Sequence, residues 1–257
     1  MSSLIRVTVT QLHDSPHRLT TDWAALVEHV RENQPDLVLL PEFPFSRWFF
    51  QTRRFQQAVW NDSVKEHERW LGRLPELGRA AVLGSRPVND GASRYNEGFV
   101  WDAARGYRSA HRKCYLPDED GFWEASWYHR GPREFNLIDV GPVKVGFLIC
   151  TEMWFTEHAR AYGRQGAHLI YTPRMNEPAT VSRWQTGAQA LSMVSGAYVA
   201  SSARYGTPSS GGVGWMIAPD GDVMATTSED QRFRTVTIDL AVADAAKRTY
   251  PRYVDDA

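Results

Sequence analysis

The stretch of sequence that decides the fold is VKVGFLICTEMWF, residues 143–155. Residues 143–150 are mostly apolar, which is typical of a strand buried inside a sheet. Residues 155–164 have the spacing of a helix that ends near Gly166. A buried strand followed closely by a helix predicts an α/β fold, with Cys150 where the strand gives way to the helix.

The same alternation continues along the rest of the chain. Strands are predicted at residues 4–11, 36–40, 80–85, 96–101, 107–111, 168–172 and 198–203, and helices at residues 20–31, 63–77 and 186–195. A Pro-Asp-Gly turn at residues 219–221 joins two further short strands into a hairpin, so part of the sheet is expected to be antiparallel. No linker, repeat or low-complexity segment interrupts the pattern, which predicts one domain over residues 1–257.

Composition and charge limit the classes of function. The 257 residues include 29 Lys and Arg against 30 Asp and Glu, a formal net charge of −1, so neither a nucleic acid nor a membrane surface is an expected partner. The N-terminus shows no signal peptide, and no stretch approaches the roughly 18 apolar residues of a membrane span. The two cysteines form no CxxC and the histidines lack zinc-ligand spacing, so no metal is expected. We predict a cytoplasmic protein.

Three ionisable residues directly follow predicted strands: Glu42, Lys113 and Cys150. Catalytic groups collect at the carboxyl ends of strands in α/β sheets, so these side chains are expected to meet. The Cys150 thiol would be the nucleophile and Glu42 its base, with the thiol pKa lowered by the amides of the following helix. Lys113 and the backbone N–H of Thr151 would stabilise the oxyanion that forms when the thiol attacks a carbonyl carbon.

Five segments resemble the carbon–nitrogen hydrolases of the nitrilase superfamily, in particular its amidase and carbamoylputrescine amidase-like branches. They are IRVTVTQL (5–12), DLVLLPEFPFS (36–46), HRKCYLPDEDGFWEASWYHRG (111–131), GFLICTEMWF (146–155) and SSGGVGWMIAPDGDVMA (209–225). The resemblance implies a four-layer αββα sandwich, a homodimer or higher homo-oligomer, and no cofactor. It also implies that Glu42, Lys113 and Cys150 form a catalytic triad in that chain order, with a second glutamate at Glu124.

Two departures bear on the substrate, for which a small-molecule amide is the first expectation. Nitrilases usually have Cys-Trp-Glu where this chain has Cys150, Thr151 and Glu152, and residues 151–154 lack the arginines with which one carbamoylase branch holds a carboxylate. The alternatives are an N-carbamoyl (ureido) hydrolase, a nitrilase, and a catalytically silent binding or scaffold protein of the same fold. Glu152 is expected to orient the helix after Cys150, and Cys114 to pack in the core.

Aromatic residues cluster after Glu42, around Glu124 and after Cys150. Such rings often serve only the core, but three clusters at one predicted site indicate that some of them line a pocket. The predicted substrate-binding residues are Trp48, Trp123 and Trp154, with Arg174 as an anchor for a polar end of the substrate.

Overall fold

Thirteen strands and five helices form the secondary structure of the part of the chain that is described. The structure is a computed structural model and describes residues 3–207 and 210–255. The strands are β1 (Leu4–His13), β2 (Leu37–Leu39), β3 (Ala81–Asp90), β4 (Ser93–Asp102), β5 (Gly106–Arg112), β6 (Ile138–Val140), β7 (Val143–Phe147), β8 (Leu169–Arg174), β9 (Tyr198–Thr207), β10 (Ser210–Gly211), β11 (Trp215–Ile217), β12 (Val223–Thr226) and β13 (Phe233–Asp239). The helices are α1 (Pro16–Asn33), α2 (Gln57–Leu71), α3 (Thr156–Arg164), α4 (Val181–Ser195) and α5 (Leu240–Ala246).

Strand β1 joins two sheets. Over residues 4–10 it pairs antiparallel with β13, and over residues 7–9 it pairs parallel with β2. Its last residues, 11–13, pair parallel with β9 in the second sheet. The strand order across both sheets is β5-β4-β3-β2-β1-β9-β8-β7-β6.

The strand directions place three strand ends at one edge. Strands β3, β2, β1, β9, β8 and β7 are parallel neighbours. Strand β5 is antiparallel to β4, which is antiparallel to β3, so β5 points the same way as β2 and β7. The residues that follow β2, β5 and β7 therefore meet at the same edge of the molecule.

Three apolar clusters separate four layers. The cluster between the two sheets includes Val7, Leu39, Val100, Val145, Phe147 and Tyr171. A second cluster packs α1 against the outer face of the first sheet, and it includes Trp23, Leu26, Val38 and Val82. A third packs α3 and α4 against the second sheet, and it includes Tyr162, Leu191, Ile170 and Val199. The layers run helix, sheet, sheet, helix, which confirms the expected αββα sandwich.

Several predicted boundaries are wrong. Helix α2 begins six residues before the predicted start at residue 63, because its buried stripe already begins at Trp60, and it ends at Leu71 before Gly72. Strand β7 ends at Phe147, three residues before Cys150, since Cys150 opens a 3₁₀ turn with φ of 50°. Strands β6, β10 and β13 and helix α5 were not predicted.

Candidate active site

Glu42 follows β2 by three residues, and its carboxylate is fully buried. Its Oε1 accepts hydrogen bonds from Asn96 Nδ2 at 2.8 Å and from Lys113 Nζ at 2.9 Å. Its Oε2 has no partner among the described residues. One carboxylate oxygen is thus fixed by two donors, and the other remains available to accept a proton.

Lys113 follows the last residue of β5 and is also fully buried. Its ammonium lies between two carboxylates, at 2.9 Å from Glu42 Oε1 and 2.6 Å from Glu124 Oε2. Glu124 lies in a 3₁₀ turn, Glu124–Ser126, and accepts a hydrogen bond from the hydroxyl of Tyr128. The structure therefore brings Glu42, Lys113 and Glu124 into one buried ionic cluster.

Cys150 begins a 3₁₀ turn, Cys150–Trp154, with a positive φ of 50°. This backbone conformation is rare for a residue with a side chain and recurs at functional sites. The thiol is 3% exposed, and its Sγ lies 3.5 Å from the carbonyl oxygen of Met175. Thr151 is in the first turn, where backbone N–H groups have no acceptor within the turn.

The charges around Cys150 correct the expectation of a lowered thiol pKa. Burial, and then the negative charge of Glu42, raise the pKa of Cys150 well above its usual value, although Lys113 acts in the opposite direction. The turn after Cys150 does not reverse this effect. The resting Cys150 side chain is a protonated thiol, and such a thiol needs a nearby base before it can act as a nucleophile.

Burial by itself lowers the pKa of Lys113 and raises the pKa of Glu124. Burial opposes the charge of Lys113, but Glu124 and Glu42 outweigh it, and the pKa of Lys113 rises well above its usual value. Burial also raises the pKa of Glu124, with Glu42 adding to the rise and Lys113 opposing it. Lys113 is a fixed cation and a donor, whereas Glu124 is a carboxyl group poised to hold a proton.

Glu152 orients the turn after Cys150, as predicted. Its Oε2 accepts from the backbone N–H of Ile149 at 2.8 Å and lies 2.8 Å from His111 Nε2, and its Oε1 accepts from the N–H of Cys114 at 2.7 Å. Cys114 is buried in the cluster beneath α3 and α4, where burial and Glu152 raise its pKa to about 12. The prediction that Cys114 serves packing is confirmed.

A family model described as carbon-nitrogen hydrolase matches residues 6–248. The chain belongs to the carbon–nitrogen hydrolase family. This carbon–nitrogen hydrolase is 24% identical over 238 residues to the chloroplastic omega-amidase of Arabidopsis thaliana, covering 88% of this chain and 64% of that protein. It is 32% identical over 151 residues to the N-carbamoylputrescine amidase of Solanum lycopersicum, covering 58% of this chain and 50% of that protein. The carbon-nitrogen hydrolase of Helicobacter pylori G27 has the same fold, with a TM-score of 0.86, 19% identity and coverage of 98% of this chain and 95% of that one.

The hydrolase places its four predicted substrate-binding residues in different surroundings. Trp48 is buried in the aromatic cluster beside the site, and Trp123, which directly precedes Glu124, packs partly buried against the same cluster. Trp154 is 46% exposed and packs on Trp184 of α4, with ring centroids 5.1 Å apart. The structure thus brings Trp48 and Trp123 together and sets Trp154 on the outer surface.

Arg174, at the end of β8, is fully buried. Its guanidinium donates to Ser201 Oγ at 2.8 Å, to Asn176 Oδ1 and to Val213 O, and it lies 3.7 Å from the centroid of the Trp215 ring. Burial lowers its pKa to about 9, and the charge of Cys150 opposes that shift. Arg174 is therefore a buried residue within electrostatic range of Cys150, and not a surface residue.

Two partners of the cluster were not singled out from the sequence. Asn96 holds Glu42, and Tyr128 holds Glu124, with 3.4 Å between Asn96 Nδ2 and the Tyr128 oxygen. The available signal for Asn96 was a polar residue at the start of an otherwise apolar strand segment. Tyr128 lay hidden among the many aromatic residues around Glu124.

Residues 3–207 and 210–255 lack the features of two other classes of site. No helix in these ranges has the length and apolar character that a membrane crossing requires. No group of three or more His, Cys, Asp or Glu side chains there is arranged to bind a metal ion.

Proposed function

We propose that this hydrolase cleaves the C–N bond of small, non-peptide amides through a thioester on Cys150. The observation that carries the proposal is the buried ammonium of Lys113, held 2.9 Å from Glu42 and 2.6 Å from Glu124 beside a buried thiol. A carboxylate, an ammonium and a thiol are the base, the oxyanion donor and the nucleophile that acyl transfer requires.

In the first half of the reaction, Cys150 Sγ attacks the amide carbon while its proton passes to Glu42 Oε2. The unpartnered state of this oxygen supports that role, because it has a free lone pair in a buried site. Lys113 Nζ and the N–H of Thr151 stabilise the oxyanion, and loss of one such donor costs about 10²–10³ in kcat in comparable enzymes. Glu42 then gives the proton to the leaving nitrogen, and ammonia or an amine departs.

In the second half, water replaces the amine. Glu42 accepts a proton from the water, whose oxygen attacks the thioester carbon, and the same two donors stabilise the second oxyanion. The C–S bond breaks, the thiol regains its proton, and a carboxylic acid leaves. Glu124, hydrogen-bonded by Tyr128, holds Lys113 in place through both halves.

The surroundings of the triad favour a small substrate. Glu42, Lys113 and Glu124 are fully buried and Cys150 is nearly so, which leaves little room for a long chain at the reacting atoms. We assign Trp48 and Trp123 to the walls of the acyl pocket and Arg174 to a polar end of the substrate, and leave Trp154 out of the pocket because it lies on the outer surface.

A ureido substrate is the second candidate. It is favoured by the 32% identity over 151 residues to a protein named N-carbamoylputrescine amidase. The same nucleophile, base and oxyanion donors would act on a carbamoyl carbon, so the two candidates differ only in the group that flanks the reacting carbon. A silent scaffold is disfavoured, because a buried charged cluster is costly to keep without a function.

The test is ammonia release from a panel of small aliphatic and aromatic amides, ureido compounds and nitriles. We expect turnover of amides, complete loss in Cys150→Ala and retained activity in the matched control Cys114→Ala. Because Cys150→Ala removes little volume, its thermal unfolding midpoint should match that of the wild type. Preference for ureido compounds would select the second candidate. No ammonia from any compound, or full activity in Cys150→Ala, would refute the proposal.

A further inference from the structure

Arg204 lies in β9 and is 1% exposed, yet its side chain reaches the loop that carries Glu42. The register between β9 and β1 places Arg204 opposite Leu12, two residues before Asp14. Asp14 is 7% exposed and forms an ion pair with the guanidinium. The pair is therefore built into the junction between the two sheets.

The guanidinium binds three carbonyl groups within five consecutive residues. Nη1 donates to Glu42 O at 3.3 Å and to Phe43 O, and Nη2 donates to Ser46 O as well as to Asp14 Oδ1. Residues 42–46 follow β2 and have left the sheet. Their buried carbonyls need donors that the sheet no longer supplies, and the planar fork of an arginine provides them.

The backbone at this point has an unfavourable conformation. Phe43 has a φ of 45°, in the left-handed region, which is unfavourable for a residue with a side chain. Such a conformation persists only where its surroundings over-determine it. The hydrogen bonds from Arg204 to the carbonyls on both sides of the Phe43 Cα supply that constraint.

We propose that Arg204, neutralised by Asp14, is a positioning residue that sets the Glu42 carboxylate against Lys113 and Cys150. The inference rests on the proposed function, since it assigns Glu42 the role of base. Asn96 and Lys113 fix the side chain of Glu42 at one end, and Arg204 fixes its backbone at the other. Arg204 touches no reacting atom and acts through the placement of Glu42.

The structure offers a matched control pair. Arg232 binds Asp22 through one Nη atom, as Arg204 binds Asp14, and Asp22 is 2% exposed. Arg232 also donates to the hydroxyl of Tyr205 at 3.0 Å. This pair links α1 to the segment before β13, so its loss tests general stability without a direct effect on residues 42–46.

The experiment compares wild type, Arg204→Lys, Asp14→Asn and Arg232→Lys by kcat, KM and thermal unfolding midpoint. A lysine keeps the charge but cannot bind three carbonyls at once, and small misplacement of a catalytic group costs about 10²-fold. We expect kcat of Arg204→Lys to fall about 10- to 100-fold with KM within about twofold. Asp14→Asn should lose kcat in the same way, to a smaller extent. Arg232→Lys should keep kcat within about twofold, whatever its unfolding midpoint.

Equal kcat in Arg204→Lys and Arg232→Lys, or a change confined to KM or to the unfolding midpoint, would overturn the inference. If Arg204→Lys does not fold, Asp14→Asn decides by the same criteria. A wild type without amide turnover would instead refute the proposed function. The positioning role is then read from iodoacetamide labelling of Cys150, which should slow in Arg204→Lys but not in Arg232→Lys, and unchanged labelling in both would contradict it.

Discussion

At the scale of single residues, the raised pKa of the Cys150 thiol is the reason why the proposed mechanism needs Glu42 as a base. Burial and Glu42 together raise the pKa of the thiol, so almost no thiolate exists at neutral pH before a base acts. Glu42, which contributes to the raised pKa, is also the group to which the proposed mechanism assigns the proton.

Labelling of the two cysteines with iodoacetamide tests this relation. An unassisted thiol with a raised pKa reacts through its thiolate, so its rate rises about tenfold per pH unit. Cys114, with a pKa of about 12, should follow that slope between pH 7 and 9. Cys150 should react faster and with a weaker pH dependence, because Glu42 takes its proton during attack. Peptide mapping by mass spectrometry gives both rates.

Glu42→Gln provides the control for this labelling. The amide keeps the size of the side chain and an acceptor but cannot take the proton, so Cys150 should react more slowly and with a steeper pH dependence than in the wild type, even though loss of the Glu42 charge removes one cause of its raised pKa. An unchanged rate at Cys150 in this variant would show that the thiolate forms without Glu42.

The candidate residues that the structure brings together could be selected from the sequence, whereas their supports could not. Glu42, Lys113 and Cys150 are unusual residue types directly after predicted strands. The roles of Asn96 and Arg204 depend on strand register, which places them beside Glu42 from 54 and 162 residues away in the chain. Local patterns carry no information on such pairings.

At the scale of secondary-structure elements, the alternation of strands and helices was sufficient to predict the class of fold. Boundaries failed where a local feature overrode the apolar pattern. Residues 148–150 continue the apolar run of β7, yet the positive φ of Cys150 turns the chain out of the sheet. Strand β13 pairs with β1 and its residues 235–239 (TVTID) alternate in the sequence, so this strand was overlooked although its pattern was present.

The spacing between the two sheets gives a testable prediction at this scale. Gly98 lies at a bulge in β4, and a Cβ at this position would lie 2.7 Å from Phe147 Cδ1 in β7. Gly98→Ala should therefore lower the free energy of unfolding by about 1–3 kcal/mol. Gly72→Ala is the control, since Gly72 ends α2 with a φ of −63° and should change stability by less than about 1 kcal/mol. Urea unfolding measures both, and equal stability of the two variants would contradict the packing described for Gly98.

At the scale of the whole molecule, the outer side near α3, α4 and α5 carries exposed apolar residues. Trp154, Met193, Val242, Tyr250 and Tyr253 are between 42% and 74% exposed. Exposed apolar residues on one side of a fold favour an interface. These exposed residues support the homo-oligomer that the family resemblance implies, which stays a prediction.

Light scattering during size exclusion tests the oligomer. We expect a mass of about twice 29.2 kDa at micromolar concentration. Met193→Glu should shift the protein toward the monomer, because a charge buried without a partner opposes association. A monomeric wild type at these concentrations would rule the prediction out.

The proposed reaction passes through an acyl group on Cys150. Rapid quenching of the hydrolase with a small amide, followed by intact-mass spectrometry and peptide mapping, tests it directly, with hydroxylamine added in a parallel reaction to capture the acyl group. We expect a mass increase equal to the acyl group on the peptide that contains Cys150 and not on the one that contains Cys114. The parallel reaction should yield a hydroxamic acid. Turnover of the amide with neither an adduct nor a hydroxamic acid would contradict the thioester mechanism and indicate direct attack by water.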